Sequence, residues 1–453
     1  MTPSYAELKA WDHAYLWHPF TQMQDWLAED PLIIDRGEGN YLIDVHGNAY
    51  LDGVSSLWCN VHGHNHPRLN AAITAQLGQL AHSTLLGLAN VPSILLAKKL
   101  VEIAPPGLTR VFYSDAGATA VEIALKLALQ YWQLKGAPQK VKFVSLVEAY
   151  HGDTLGAMSV GYSELFHRYY RPLLPDMWRL TPPHCFRFHR GMSDAAALAA
   201  AVDEARCVLA AHHHEIAALI IEPLMQGAAG MWAQPVAYVQ TLRALTTEYN
   251  ILLICDEVAT GFGRTGRMFA CEHAGISPDL FCVAKGLTGG YLPLAATLTT
   301  EEIFSAFLAP YEEFKTFFHG HTYTGNPLAC AAALASLALF EEEQVLDALA
   351  TKIALLTERL RTDYAPLPHV ADIRQWGFMV GIELMRDPVR KVPYAAAEKV
   401  GIRVCQAARA RGVIIRPLGN VIVLMPPLSI TTEELTWLVD VVRDAITTVT
   451  TQV

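Results

Sequence analysis

Charge is sparse in this chain. Only 17% of its 453 residues are Asp, Glu, Lys or Arg, against 52% hydrophobic, and mean hydropathy is +0.22. That balance predicts a large core, or apolar surface covered in an oligomer. Long hydrophobic runs are missing too. No uncharged apolar stretch reaches the roughly 18 residues a membrane helix needs. The polar, aromatic start at residues 1–17 lacks the apolar segment of a secretory signal. A cytoplasmic protein with no place in a membrane is expected. Basic residues are in the minority, and a net charge of −10 argues against nucleic acid as the main partner. The eight cysteines are scattered with no C-x-x-C pair, and several sit inside apolar runs. This predicts reduced, buried thiols, with neither a disulfide framework nor a zinc site. The length exceeds one small core, so two or more subdomains are expected.

The chemistry that is present centres on residues 251–286. Two short apolar runs, 251–255 and 280–284, end in Asp256-Glu257 and in Lys285-Gly286. Runs of about five apolar residues bounded by Gly and Pro read as fully buried parallel strands. The carboxyl ends of such strands open onto the ligand crevice of an open α/β sheet. One carboxylate and one amine are therefore expected in one cleft. Lys285 is the candidate to bond an aldehyde cofactor as a Schiff base, and Asp256 the candidate to keep that cofactor's ring nitrogen protonated.

Upstream, the extended runs 41–45 and 49–51 flank His46-Gly47-Asn48 and predict a hairpin. Trp17-His18-Pro19-Phe20 reads as a packing plug or a pocket lining. His62, His64 and His66 alternate, a spacing that suits a metal if they lie on one strand, and so admits a metal-dependent hydrolase. Gly63 and Pro67 break that strand, which favours a loop leading into a helix at 67–79. Residues 111–114 predict a strand, Asp115-Ala116-Gly117-Ala118-Thr119 a turn, and 120–132 a helix with an apolar stripe. A small-residue turn that opens a helix offers free N–H groups to a phosphate. Otherwise it is a plain strand–helix turn capped by Ser114 or Asp115. Tyr150, after the strand 142–146, is a candidate ring cover. Residues 164–193 read as a long surface excursion, and 217–221 as a further strand ending at Glu222-Pro223. The run 261–266 matches G-x-G-x-x-G, but five residues separate it from its strand and no acidic strand end follows, so a nicotinamide oxidoreductase fits poorly. The polar loop 317–327 precedes a long helix and reads as part of a phosphate cup. Beyond about residue 346 the pattern changes to an α+β unit with a strand at 413–416, where Arg416 offers a planar fork for a carboxylate.

These motifs together resemble the class III, fold-type I aminotransferases, which use pyridoxal 5'-phosphate. The likeness covers nearly the whole chain. It is carried by Trp17-His18-Pro19-Phe20, the segment 62–67, Tyr150-His151-Gly152-Asp153-Thr154, the segment 256–266, Lys285-Gly286 and Arg416-Pro417. Within the family it is similar to members that convert 8-amino-7-oxononanoate to 7,8-diaminononanoate in biotin biosynthesis. The resemblance implies an α/β fold: a large domain with a mostly parallel doubly wound sheet (61–330), a smaller α+β C-terminal domain (331–453), and an N-terminal segment (1–60) packing on the small domain and the site. It implies a homodimer with sites at the subunit interface, and small-molecule substrates. In it, Lys285, Asp256 and Tyr150 are catalytic. Gly117, Ala118 and His321 hold the cofactor, with Thr322 of the partner subunit. Phe20, Leu57, Trp58, Tyr150, Gly320 and Arg416 bind substrate. The chain departs from the family at Phe20, where many members have Tyr, at Leu57, where many have Trp, and at Ala118, where many have Ser. The first two positions line the place of the amino donor. S-adenosyl-L-methionine is the family default there, and some members with this pattern take L-lysine. The same resemblance also fits another class III ω-aminotransferase.

Overall fold

The computed structural model describes residues 3–452. At its centre lie seven strands in the order Leu108–Ser114, Ala295–Thr300, Leu280–Val283, Leu252–Asp256, Ile216–Ile221, Lys142–Leu146, Trp178–Leu180. Ala295–Thr300 runs antiparallel to both neighbours, and the remaining pairs are parallel. Every residue of Ile216–Ile221 is buried, because both faces of the sheet are covered. Alternation sorts the side chains. Ala218, Ile220, Leu252, Ile254, Leu280 and Cys282 share one core with the helix Gly117–Leu134. Leu219, Ile221, Leu253, Cys255, Phe281 and Val283 enter the opposite core. A two-residue period on a sheet between helical layers requires this split.

Two smaller sheets flank the centre. Ile34–Glu38, Tyr41–Asp44 and Ala49–Asp52 form the expected hairpin extended by one strand, and Val413–Ile414 joins it parallel to Ala49–Asp52. The other is antiparallel: Val370–Trp376, Met379–Leu384, Val421–Leu424, Arg416–Leu418. The single strand expected at 413–416 is thus two. The chain leaves one sheet after Ile414 and enters the other at Arg416, which a tight turn through Gly419 (φ +61°) folds back on Val421–Leu424. A second correction concerns 164–193. Far from being wholly a surface excursion, it supplies the edge strand Trp178–Leu180, and His167 at the end of its first helical turn is 1% exposed, although Leu165 beside it is exposed. Aromatic and basic composition does not distinguish a solvated loop from a buttress.

The glycine-rich run 261–266 is a junction. Gly263 (φ +86°) lies so close to Leu428 that a Cβ would stand 2.6 Å from its methyl. Arg264, 1% exposed, donates to the carbonyl of Asn60 at 2.6 Å and to that of Pro426 at 2.6 Å. One side chain so ties the N-terminal turn to the C-terminal part of the chain. Replacing Arg264 by Met leaves two buried carbonyls without donors, each costing about 1–3 kcal/mol. Urea unfolding of Arg264→Met is expected to show a loss of about 2–5 kcal/mol; a loss under about 1 kcal/mol would remove Arg264 from this role.

Candidate active site

The cleft forms where Leu252–Asp256 and Leu280–Val283 end side by side. Asp256 pairs in register with Cys282, and the N–H of Glu257 donates to the Cys282 carbonyl at 2.9 Å. Asp256 is 4% exposed. Its Oδ2 meets His151 Nδ1 at 2.7 Å, and its Oδ1 accepts the Val258 N–H at 3.0 Å. His151 is itself 3% exposed, and its Nε2 is buried without a partner. Lys285 follows three residues after Cys282 in a left-handed conformation (φ +44°) that a lysine rarely adopts. Its Nζ stands 4.9 Å from the centroid of the Trp58 ring. Burial pushes the Lys285 amine below its ordinary range, against the opposing pull of Asp256.

Trp58 reaches this place through a contorted turn. Ser55, Ser56 and Trp58 all have positive φ, at 53°, 59° and 63°. Asp52 holds the turn by accepting from the N–H of Val54 (3.2 Å) and Ser56 (2.7 Å), and Ser55 Oγ donates to the Met425 carbonyl at 2.6 Å. Trp58 packs among Met225, Met231, Met379, Val423 and Met425, with Leu418 against that cluster. Leu57 is left 49% exposed. Arg416, half-buried, stands on the adjoining strand opposite Val423.

The helix Gly117–Leu134 begins beside Val258, close enough that a Cβ on Gly117 would lie 2.5 Å from a Val258 methyl. Among the described residues no side chain accepts from the N–H of Gly117 or Ala118, while Thr119 Oγ1 accepts the Ala116 N–H at 3.1 Å, so neither Ser114 nor Asp115 plays the capping part that a plain turn would give it. Asp115 instead bonds His321 Nδ1 at 2.7 Å. That contact brings the loop of Gly320, His321 and Thr322 to the approach of the helix start. Gly320 and Thr322 are exposed. Tyr150 donates to Asp153 Oδ2 at 2.7 Å. Phe166 lies between Tyr150 (6.4 Å) and Phe20 (5.8 Å), edge-on to both, so Phe20 belongs to the rim of the cleft.

The alternating histidines do not converge. His62 Nε2 meets Ser336 Oγ at 3.1 Å, His64 Nε2 meets Asp52 at 2.9 Å, and His66 accepts from the Arg68 N–H at the start of the helix Pro67–Leu77. Each serves its own structural contacts, His64 also meeting Asn60 and His66 also meeting Glu343, and no group of three metal-ligating side chains exists among the described residues. The metal-dependent hydrolase reading falls with that geometry. Sequence reasoning passed over His151 and Glu222. Glu222 directly follows the strand Ile216–Ile221, whereas His151 lies in the loop five residues past the strand Lys142–Leu146.

A family model described as Aminotransferase class-III matches residues 24–446. A protein of Nitratidesulfovibrio vulgaris named adenosylmethionine-8-amino-7-oxononanoate aminotransferase is 55% identical over 450 residues, 98% of this chain and 82% of its own length. The crystal structure of the Methanocaldococcus jannaschii protein of that name matches with a TM-score of 0.93 at 49% identity, over 98% of this chain and 99% of that one. An omega transaminase of Pseudomonas jessenii, solved in complex with PMP, matches with a TM-score of 0.94 at 32% identity, over 98% and 99% of the two chains.

Glu222 lies beneath the cleft, 5% exposed, accepting the N–H of Tyr150 (3.1 Å) and of Gly227 (2.8 Å). Burial raises its carboxyl to about 7; His151 opposes the rise and Asp256 adds to it. The folded state therefore binds a proton that the unfolded chain, with a pKa near 4.5, releases. Stability contributed by this group is present below pH 4.5 and is lost as pH rises to about 7. Glu222→Gln turns its amide nitrogen against one of the two N–H donors, at a cost of about 1–3 kcal/mol. The variant is expected to be less stable than the parent at pH 5, with the gap narrowing at pH 8. Urea titrations at both pH values check this, and a gap that widens with pH would contradict it.

Proposed function

This chain belongs to the class-III aminotransferases and so works with pyridoxal 5'-phosphate, and from that premise we propose that it aminates 8-amino-7-oxononanoate to 7,8-diaminononanoate in biotin biosynthesis. The observation that carries the reading is the delivery of an amine, Lys285, and a buried carboxylate, Asp256, from adjacent parallel strand ends, beside a helix whose Gly117 and Ala118 N–H groups meet no side-chain acceptor among the described residues. Three features support the fit to the cofactor. The start of Gly117–Leu134 offers N–H groups and small side chains to a phosphate. Asp256 offers a buried acceptor to a ring N–H, held by His151. Lys285 offers an amine that burial makes easier to deprotonate.

Bound there, pyridoxal 5'-phosphate supplies an aldehyde that carries the amino group between substrates and a ring that disperses negative charge. Asp256 keeps a proton on the ring nitrogen by opposite charge. The free amine of Lys285 removes a proton from the substrate carbon bearing nitrogen and returns it elsewhere. Tyr150 covers the ring, and Trp58 closes the side of the cleft above Lys285. Arg416 receives the carboxylate of the acceptor, as a fork suited to two oxygens. The assembly we propose is a homodimer in the cytoplasm. The exposed Thr322 reaches the second copy's cofactor, Gly320 lies at the substrate, and His321 fixes their loop through Asp115. Residues 1–60 cover the site, 61–330 carry the cofactor and 331–453 form the small domain.

S-adenosyl-L-methionine stands as donor in the names of the relatives. Phe20 and Leu57, 57% and 49% exposed at the rim, are where a lysine-using enzyme or another ω-aminotransferase would differ. Both donors are tested by mixing holoenzyme with each and following loss of the visible band. Bleaching by S-adenosylmethionine, then recovery with 8-amino-7-oxononanoate, is the expected result. Recovery by other ketones alone would overturn the acceptor. Lys285→Ala is expected to lower turnover by at least about 10⁴-fold, general acid–base and covalent roles being lost together; a variant of near-parental rate would refute the assignment of Lys285.

A further inference from the structure

Two side chains beside Tyr150, Asp153 and His167, form with it a unit that the reaction as described leaves unused. Asp153 stands on the loop after Tyr150, its side chain 49% exposed. One carboxylate oxygen accepts from the Tyr150 hydroxyl at 2.7 Å. The other lies 3.6 Å from His167 Nε2. His167 is 1% exposed and is stacked at 13° on Tyr150, with ring centroids 6.2 Å apart. Tyr162 and Phe166 pack on its other sides, at 6.1 Å each.

Hydrogen bonding decides where the imidazole proton sits. The Ser163 N–H donates to His167 Nδ1 at 3.1 Å. A backbone N–H can only donate, so Nδ1 must present its lone pair and the ring's proton lies on Nε2. Nε2 is buried and makes no hydrogen bond among the described residues, and it faces Asp153. The carboxylate so has a hydroxyl donor on one oxygen, and its other oxygen faces the imidazole N–H at 3.6 Å, a polar contact longer than a hydrogen bond. Burial pushes the Asp153 carboxyl up, but contact with His167 and then with Tyr150 outweighs it and holds the group below its usual range. Glu164, the remaining acidic neighbour in this segment, is engaged by the Tyr162 hydroxyl at 2.6 Å.

We infer that His167 is a positioning residue, which orients the Asp153 carboxylate and, through it, the Tyr150 hydroxyl at the mouth of the cleft. The inference rests on the aminotransferase reading for its purpose, since Tyr150 is there a ring cover. A carboxylate on an exposed loop samples several rotamers, and fixing such a side chain costs conformational entropy. His167 meets that requirement from a buried, packed position before substrate arrives. The segment that holds it is the one whose composition reads as surface.

The test uses holoenzyme and two variants. His167→Phe keeps a ring against Tyr150 and removes the donor. His167→Gln restores an amide N–H near the place of Nε2. In the amino-donor half-reaction, His167→Phe is expected to raise the half-saturating donor concentration about tenfold with the limiting rate within about threefold, and His167→Gln to recover most of the loss. An unchanged half-saturation, or equal damage by both variants, overturns the inference. A readout independent of turnover decides the case where a variant fails to fold or no donor reacts. In protein labelled with ¹⁵N-histidine, the His167 ring is expected to show the Nε2–H tautomer, and Asp153→Asn is expected to shift its Nε2 resonance. An Nδ1–H ring, or one indifferent to Asp153→Asn, sinks the proposal. If the parent enzyme itself bleaches with no donor, the aminotransferase reading fails, and the nitrogen spectrum still settles the role of His167.

Discussion

A carboxylate buried at the end of a buried strand must find a partner or lose its charge, and Asp256 is the point from which the rest of the site is arranged. Its strand leaves it 4% exposed. His151 bonds one oxygen and the chain's own turn bonds the other. The loop that brings His151 inward also fixes Tyr150, the next residue, and Gly152, where a Cβ would lie 2.3 Å from that of Ala118. The helix start, the ring cover and the carboxylate thus share one short loop. A change at any of the three is transmitted to the others through contacts too close to yield.

Strain gathers around the same point. Ser55, Ser56, Trp58, Glu148 and Lys285 all hold positive φ without being glycine. Such backbones cost of order 1–3 kcal/mol each and persist only when their surroundings over-determine them. Here the surroundings are identifiable: Asp52 and Ser55 hold the Trp58 turn by three bonds, and the sheet register fixes the approach to Lys285. The strain places Trp58's ring over the Lys285 amine, a contact that neither residue's local preference would produce.

How much of this was legible depended on range. The buried strands ending at Asp256 and Lys285 were readable because a five-residue apolar run and its terminal polar residue are local facts. At the start of Gly117–Leu134 the small residues in a row gave the turn and the helix, but left open whether Ser114 or Asp115 caps it. The histidines 62, 64 and 66 were expected in a loop leading into a helix, and they lie before the helix Pro67–Leu77. Their individual partners were not readable: Ser336, Asp52 and a helix N–H claim them one by one, and only Ser336 is distant in the chain. Glu222 carries no local mark that separates it from a strand-end surface residue, because its burial comes from loops contributed by Tyr150 and Gly227. His167 sat in a stretch of Arg, Pro and aromatics whose composition signals exposure. Its burial follows from packing against Tyr150, which the sequence places 17 residues away.

The pairing of Val413–Ile414 with Ala49–Asp52 has a further consequence, for the order of events in synthesis. The hairpin near the beginning of the chain lacks its fourth strand until residues more than 360 positions later have left the ribosome. Arg264 likewise cannot complete its bonds until Pro426 is present. Contacts of such separation form late, because the loop they close is long and its entropy must be overcome first. The central sheet, complete by Thr300, can assemble while the chain is still being made, whereas the Trp58 wall of the cleft must wait until Met425 has been made. A chain released early would hold a formed sheet and an open, apolar cleft, a species suited to capture by chaperones.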